Sequence, residues 1–153
     1  FIMFEILKKA KEDSLAINEL SLDQKNLLIS SILVECAKGD GEFTEIEVSQ
    51  IKKILRTKLN LNEDNINEVL NQAIENSKER VEMYSLTKKI RDQFEKEQIL
   101  TIFEYMWEVI LSDGIIDDFE AALMSKATGL FHLTGRESAE AKKTAQNSIK
   151  KKD

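Results

Sequence analysis

Apolar residues recur along the chain at intervals of three and four, which is the spacing of one face of an α-helix. The clearest case follows Asn62, a predicted N-cap, where apolar residues fall at i, i+3, i+4, i+7 and i+8: Ile66, Val69, Leu70, Ala73 and Ile74. No segment alternates with a period of two over several residues, so strands are not expected. The pattern predicts an all-α protein.

Helix starts are marked by capping boxes, in which Ser, Thr or Asp is followed three residues later by Glu or Gln. Such pairs occur at Ser21 and Gln24, Thr44 and Glu47, Asp117 and Glu120, and Thr134 and Glu137. The first helix is expected to end near Gly39, and Ser85 is expected to begin a short helix that ends at Phe94. Residues 99–110 are apolar on nearly all sides, which predicts a central helix surrounded by others.

One helix–loop–helix pattern occurs twice, 73 residues apart (113−40 and 120−47): Asp40-Gly41 with Glu47, and Asp113-Gly114 with Glu120. At this offset apolar, acidic and turn positions match together: Leu33 with Met106, Glu35 with Glu108, Phe43 with Ile116, Ile46 with Phe119, and Ile51 with Met124. We therefore expect one domain over residues 1–153, a bundle of about seven to eight helices. It would be built from two pseudo-symmetric repeats, at about 21–78 and 97–150, joined by a charged connector at about 79–96.

Composition narrows the class of protein. The 153 residues are 42% apolar and 33% charged and include no proline, as expected for a globular helical domain. The net charge is −6 with the two signs interleaved, which argues against a nucleic-acid partner. The apolar start, Phe1 to Leu7, makes a poor signal peptide, and no stretch approaches the length of a membrane span, so a cytoplasmic protein is expected.

The two ends of the chain leave alternatives open. Phe1 to Leu15 is expected to form a helix whose apolar face packs on the bundle, on a second copy or on a membrane surface. Lysines accumulate at the other end, where a solvated helix terminus or a contact with an anionic surface would both suit them.

The acidic loops partly match a calcium-binding EF-hand loop, D-x-[DN]-x-[DN]-G-x₅-E. The Asp-Gly pairs fall on its fifth and sixth positions, and Glu47 and Glu120 fall on its twelfth. Its first and third positions are Cys36 and Lys38 in one copy and Val109 and Leu111 in the other, none of which supplies a carboxylate. Neither loop alone could give Ca²⁺ its usual shell of oxygen ligands.

Two half-loops could form one site if the repeats pack around a pseudo-twofold axis. Asp40, Glu47, Asp113 and Glu120 would then converge as ligands, with Thr44 and Asp117 as auxiliary groups. All-oxygen ligation favours Ca²⁺ over Mg²⁺ or Mn²⁺, and zinc is disfavoured because its preferred ligand types are represented only by Cys36 and His132. The alternative is that these residues are only helix caps and turn residues.

An enzyme is the less favoured class, and no catalytic residue is assigned. A di-iron carboxylate bundle needs two Glu-x-x-His elements, and the chain has one histidine. That residue, His132, stands at a predicted helix end, where a structural role is expected. A metal-activated water on the acidic loops, as in a hydrolase of phosphate esters, is kept as an alternative.

The stretch from Met106 to Glu120, continued by Leu123 to Leu133 and Thr134, resembles the tellurite-resistance TerB family, and Val34 to Leu55 resembles the same motif. The resemblance covers about residues 21–147. It implies an all-helical, non-enzymatic bacterial protein with a divalent-metal site at the acidic loops. It also implies ion-dependent sensing or scaffolding in a stress response, with an unidentified protein partner near the inner membrane.

Carried over residue by residue, the family motif falls on Asp40, Glu47, Asp113 and Glu120. Lys38 and Gly39 depart from the small residues that are usual before the first aspartate. The first loop is therefore expected to be looser and to bind more weakly.

Overall fold

The computed structural model describes residues 19–38, 43–79 and 83–150. These residues form seven helices and no strand: α1 Leu22–Lys38, α2 Glu45–Thr57, α3 Glu63–Lys78, α4 Met83–Gln93, α5 Lys96–Leu111, α6 Asp118–Leu130 and α7 Gly135–Lys150. The predicted all-α helical bundle is confirmed. The predicted helix from Phe1 to Leu15 and the turn at Asp40-Gly41 lie outside the described residues.

Local capping determines where the helices begin. Ser21 N–H donates to Gln24 Oε1 at 2.9 Å, and Gln24 N–H donates back to Ser21 Oγ at 3.2 Å. Asn62 Oδ1 accepts from the N–H of Asn65 at 2.8 Å, as its position before α3 predicted. The Thr134 capping box before α7 also forms, with bonds of 2.9 and 3.0 Å.

Two helix starts were predicted less well. α4 begins at Met83, two residues earlier than Ser85. Glu95, which was not predicted to be a cap, precedes α5, and its N–H donates to Gln98 Oε1 at 2.8 Å.

The central helix is α5, which packs against α1, α2, α4 and α7 and buries residues on most of its circumference, as predicted for residues 99–110. α1 packs most extensively on α3, and α5 packs most extensively on α7. Phe103 in α5 meets the rings of Trp107 and Phe131 edge-on, with centroid distances of 6.3 and 6.0 Å. α1 also packs directly on α5.

The two halves have similar helix lengths but different neighbours. Helices α1, α2 and α3 have 17, 13 and 16 residues, and α5, α6 and α7 have 16, 13 and 16. α2 packs on α1, α3 and α5, whereas α6 packs principally on α4. The fold therefore repeats the order and lengths of the helices more closely than it repeats their packing.

α2 and α6 also end alike. Asn60 and His132 each follow one of these helices with a left-handed backbone, at φ 56° and 59°. His132 lies at a helix end as predicted, with an exposed side chain, and its backbone N–H donates to Gly129 O at 3.0 Å. Its contribution to the helix end is made through the backbone.

Candidate metal centre

The second acidic loop follows the end of α5. Gly114 has φ +81°, a left-handed conformation that favours glycine, and its N–H donates to Leu111 O at 3.0 Å. Asp113 Oδ1 accepts from the N–H of Ile115 at 3.0 Å. This bond across two residues explains locally why an aspartate precedes the glycine here.

Asp117 and Glu120 form the predicted capping box at the start of α6. The Glu120 N–H donates to Asp117 Oδ1 at 2.7 Å, and the Asp117 N–H donates to Glu120 Oε1 at 3.1 Å. The box satisfies two backbone donors and turns the Glu120 side chain back towards the loop.

The first loop caps α2 with different chemistry. Thr44 Oγ1 accepts from the Glu47 N–H at 3.2 Å and donates its own hydrogen to Glu47 Oε1 at 2.7 Å. The predicted cap is therefore present, and the Thr44 hydroxyl donates to the glutamate a hydrogen bond that the Asp117 side chain of the second loop, which accepts, does not donate. Asp40 lies outside the described residues.

The glutamates of the two loops are almost fully buried and lie near each other. Glu47 is 6% exposed and Glu120 is 5% exposed. Burial raises the pKa of the Glu47 carboxyl, and the negative charges of Asp113 and Asp117 raise it further. Hydrogen bonds from Thr44 partly offset this by lowering the pKa. Burial likewise raises the pKa of Glu120, with added repulsion from Asp117, Asp113 and Glu47.

These interactions give the spatial relation between the loops. Glu47 from α2 and the acidic residues of the second loop lie within electrostatic reach of one another. They include three of the four predicted ligands, Glu47, Asp113 and Glu120, and the auxiliary Asp117.

Cys36, near the end of α1, lies close to this group. It is fully buried, and burial raises the pKa of its thiol. The negative charges of Glu35, Glu120 and Glu47 raise this pKa further. The thiol is therefore protonated and unsuited to binding a metal. Cys36 therefore packs as a small buried hydrophobic residue.

The donor set suits a hard cation, because it consists of carboxylate and hydroxyl oxygens. Within residues 19–38, 43–79 and 83–150, neither Glu47 nor Glu120 forms an ion pair. In that same part of the chain, no group of three or more His, Cys, Asp and Glu is arranged to hold a metal ion. Ion binding would therefore require the carboxylates to turn from their cap hydrogen bonds towards a common point.

Exposed apolar side chains stand next to these acids in the chain. Ile46 precedes Glu47, Phe119 precedes Glu120, and Ile115 lies between Asp113 and Asp117. All three are at least half exposed. The repeat alignment had paired Ile46 with Phe119, but it did not predict that both would be exposed.

A second polar group was not predicted from the sequence. Glu104, Tyr105 and Glu108 line a cavity between α5 and α7, away from the acidic loops. The available signal was a pair of glutamates four residues apart on an otherwise apolar helix.

Taken together, the architecture and the loops define an all-helical bundle with acidic residues at corresponding helix starts. The family model of tellurite resistance protein TerB matches residues 26–143, and the chain belongs to this family. The sequence resemblance to TerB is thereby confirmed.

A crystal structure of a protein of unknown function from Porphyromonas gingivalis W83 has a similar fold. The TM-score is 0.61 at 21% sequence identity, over 86% of this chain and 99% of that chain. A comparison with curated proteins found no match. Among the helices that the structure describes, none is both long and apolar enough to cross a membrane.

Proposed function

We propose that this TerB-family chain is a non-enzymatic helical module that binds a divalent cation between its two acidic loops. Glu47, Asp113 and Glu120 would be ligands, with Asp40 as the fourth carboxylate and Thr44 and Asp117 as auxiliary groups. Ca²⁺ is favoured over Mg²⁺ or Mn²⁺ because the donors are oxygens on loops that need not impose a strict octahedron.

The observation that carries this proposal is the burial of like charges from both halves of the chain. Two glutamates lose most of their hydration and also feel the charges of Asp113 and Asp117. Desolvation and repulsion both disfavour the ionised carboxylates, and a bound cation would reverse both effects.

The bound ion would also act on the surface beside it. Because exposed Ile46, Ile115 and Phe119 adjoin the acidic residues, turning the carboxylates towards an ion would alter the surface offered to a protein partner. We therefore propose ion-dependent scaffolding or sensing in a tellurite-resistance-like stress response, at a cytoplasmic location at or near the inner membrane.

Calcium titration with matched variants tests the proposal. In the double variant Glu47→Gln with Glu120→Gln, each amide keeps a capping oxygen but loses the charge. Ca²⁺ at about 100 times its Kd should stabilise the wild type by about 2.7 kcal/mol and raise its melting temperature. The double variant should show no shift.

The control replaces two exposed glutamates away from the loops, Glu68→Gln with Glu97→Gln, and so removes the same charge. It should respond to calcium as the wild type does. An unchanged wild-type melting temperature at millimolar calcium, or a full response in the loop variant, would contradict the proposal.

A second candidate function is a purely structural interaction adaptor. It is favoured by the cap bonds, since Glu47 and Glu120 already accept hydrogen bonds at their own helix starts. In that case calcium would change the stability of neither the wild type nor the double glutamine variant. Glu47→Ala, which removes the acceptor, would lose stability under either candidate.

The family does not by itself assign a reaction, and we assign no catalytic residue. A metal-dependent hydrolase would show turnover of a phosphate ester that requires the divalent ion and is lost in Glu120→Gln.

A further inference from the structure

A cavity of about 160 Å³ lies between the end of α2, the middle of α5 and the second half of α7. Its wall includes Lys58, Glu104, Tyr105 and Glu108. None of its lining residues belongs to the acidic loops. It is a separate group of charged and polar side chains that the proposed metal site does not use.

The corresponding place in the first half of the chain has a different lining. There a cavity of about 220 Å³ lies against α1, α3 and α4. Three lining positions of the two cavities correspond at the repeat offset of 73 residues. The first cavity has Leu28, Ser31 and Glu35 where the polar cavity has Thr101, Glu104 and Glu108. Leu20, Leu27 and Leu86 also line the first cavity, so filling a gap between such helices does not require two carboxylates and a phenol.

The threonine and serine hydroxyls of the polar cavity have already donated their hydrogens. Thr101 Oγ1 donates to Glu97 O at 3.0 Å, and Thr144 Oγ1 donates to Glu140 O at 3.0 Å. Ser148 Oγ donates to Glu108 Oε1 at 3.2 Å. Towards a ligand these hydroxyls can therefore act only as acceptors.

Tyr105 is the observation that points to a ligand. It is 4% exposed and Glu108 is 3% exposed, yet the Tyr105 hydroxyl makes no hydrogen bond within the described residues. Burial raises the pKa of this phenol, and the charges of Glu108 and then Glu104 raise it further. The hydroxyl thus lies within electrostatic reach of both carboxylates and is without a protein partner in the wall of a cavity.

We propose that this cavity binds a primary ammonium group. Glu104 and Glu108 contribute two carboxyl groups to the wall, Lys58 contributes one ammonium, and the hydroxyls add acceptor oxygens. A primary ammonium carries three N–H donors, which matches an acceptor-rich wall. Its short alkyl chain can lie against the methyl of Ala145 and the ring of Tyr105.

A metal ion matches this cavity less well. The cavity offers only two carboxylates. No group of three or more His, Cys, Asp and Glu in the described residues is placed to hold an ion. The ammonium could belong to a free alkylamine or to a lysine side chain of a partner protein, which present the same chemistry.

The experiment is isothermal titration calorimetry of the full chain. A chelator is present so that the acidic loops hold no divalent ion. The probes are n-butylammonium, 1,4-diaminobutane and N-acetyl-lysine methylamide. Tetramethylammonium, which has the same charge and no N–H donor, is the control. We expect saturable binding of at least one primary ammonium and none of tetramethylammonium.

Variants locate the site. Glu104→Gln should weaken binding by about tenfold or more, since it removes a charge-assisted hydrogen bond. Tyr105→Phe, which keeps the ring, should weaken it by about three- to tenfold. Glu35→Gln removes the half-buried carboxylate of the other cavity and should leave the affinity unchanged.

Binding of the lysine derivative alone would support the proposal with a protein lysine as the source of the ammonium. Equal binding of tetramethylammonium, no saturable binding of any primary ammonium, or wild-type affinity in both Glu104→Gln and Tyr105→Phe would overturn it. Melting temperatures of the variants check that the fold persists.

Discussion

Helices α2 and α6 occupy the same place in the two halves of the chain and are packed in different ways. Both have 13 residues and carry a nearly buried glutamate three residues after the N-cap. α2 packs on three helices and buries Ile51, Ile54 and Leu55, whereas α6 packs principally on α4 and buries Met124 and Ala127.

The shared feature is therefore the acid and not its surroundings. If the glutamates were buried only because two similar helices pack alike, different packing should have exposed one of them. Equal burial on differently packed helices indicates a constraint at the acidic loops themselves, and this supports the proposed ion site.

The largest expected effect on stability comes from truncating core side chains at corresponding positions of α2 and α6. Ile51 and Met124 are both almost completely buried. Truncation of such residues to alanine costs about 2–5 kcal/mol. Ile51→Ala should lie in the upper part of that range and Met124→Ala in the lower part, because α2 is enclosed by more helices than α6. Urea unfolding measures both.

Ile46→Ala, at an exposed position beside Glu47, is the control and should change the free energy of unfolding by less than about 0.5 kcal/mol. If Ile51→Ala cost no more free energy of unfolding than Met124→Ala, the expected difference in how the two helices are enclosed would be contradicted.

The next largest effect distinguishes the two caps. Thr44→Ala removes a cap and also the hydroxyl that donates to buried Glu47, so it should cost about 1–2 kcal/mol. Asp117→Ala removes a cap but relieves repulsion on Glu47 and Glu120, so its cost should be nearer 0.5 kcal/mol. Thermal unfolding in a chelator compares them.

Asp117→Asn is the matched control, because it keeps the capping oxygen and removes only the charge. It should be at least as stable as the wild type when no divalent ion is present. A clear loss of stability in Asp117→Asn would mean that the charge itself stabilises α6.

The helices could be predicted because their signals are local. Capping pairs and apolar spacing placed the starts at Ser21, Thr44, Asn62 and Thr134. The start of α4 was misplaced because residues 79–84 contain no Ser, Thr, Asp or Asn to mark an N-cap.

The site could be predicted only in part, for the same physical reason. The acids stood out because they repeat along the chain, but their electrostatic interaction depends on how the helices pack together. Likewise, Glu104 and Glu108 are visible in the sequence as an i, i+4 pair, whereas their cavity exists only because α7 lies across them. Spacing along one helix does not encode its neighbours.

A smaller effect concerns the ends of α2 and α6. A left-handed backbone costs an ordinary residue about 1–2 kcal/mol, and asparagine tolerates it better than most residues do. Glycine avoids that cost but loses about 0.5–1 kcal/mol of conformational entropy. His132→Gly should therefore gain up to about 1 kcal/mol, whereas Asn60→Gly should change little. Urea unfolding of both variants measures the difference, and a loss in His132→Gly would show that the imidazole has a role.

The smallest expected effect is a dependence of stability on pH, and it addresses the acid pair most directly. The folded-state pKa values of Glu47 and Glu120 are raised, so their stabilising contribution is complete below the unfolded pKa and is lost as pH rises through the folded value. Glutamine does not titrate there. In a chelator, each single glutamine variant should therefore gain stability relative to the wild type between about pH 4 and about pH 7.5.

Glu68→Gln provides the comparison, because this glutamate is exposed and lies on α3, outside the acidic loops. Adding calcium at the higher pH should reverse the order of wild type and loop variant, because the ion stabilises only the ionised pair. Melting temperatures at the two pH values, with and without calcium, measure the effect. If the order of stability of wild type and loop variant reverses with pH but not with calcium, the carboxylates are desolvated and repel each other but hold no ion. If it reverses with neither, they act only as helix caps.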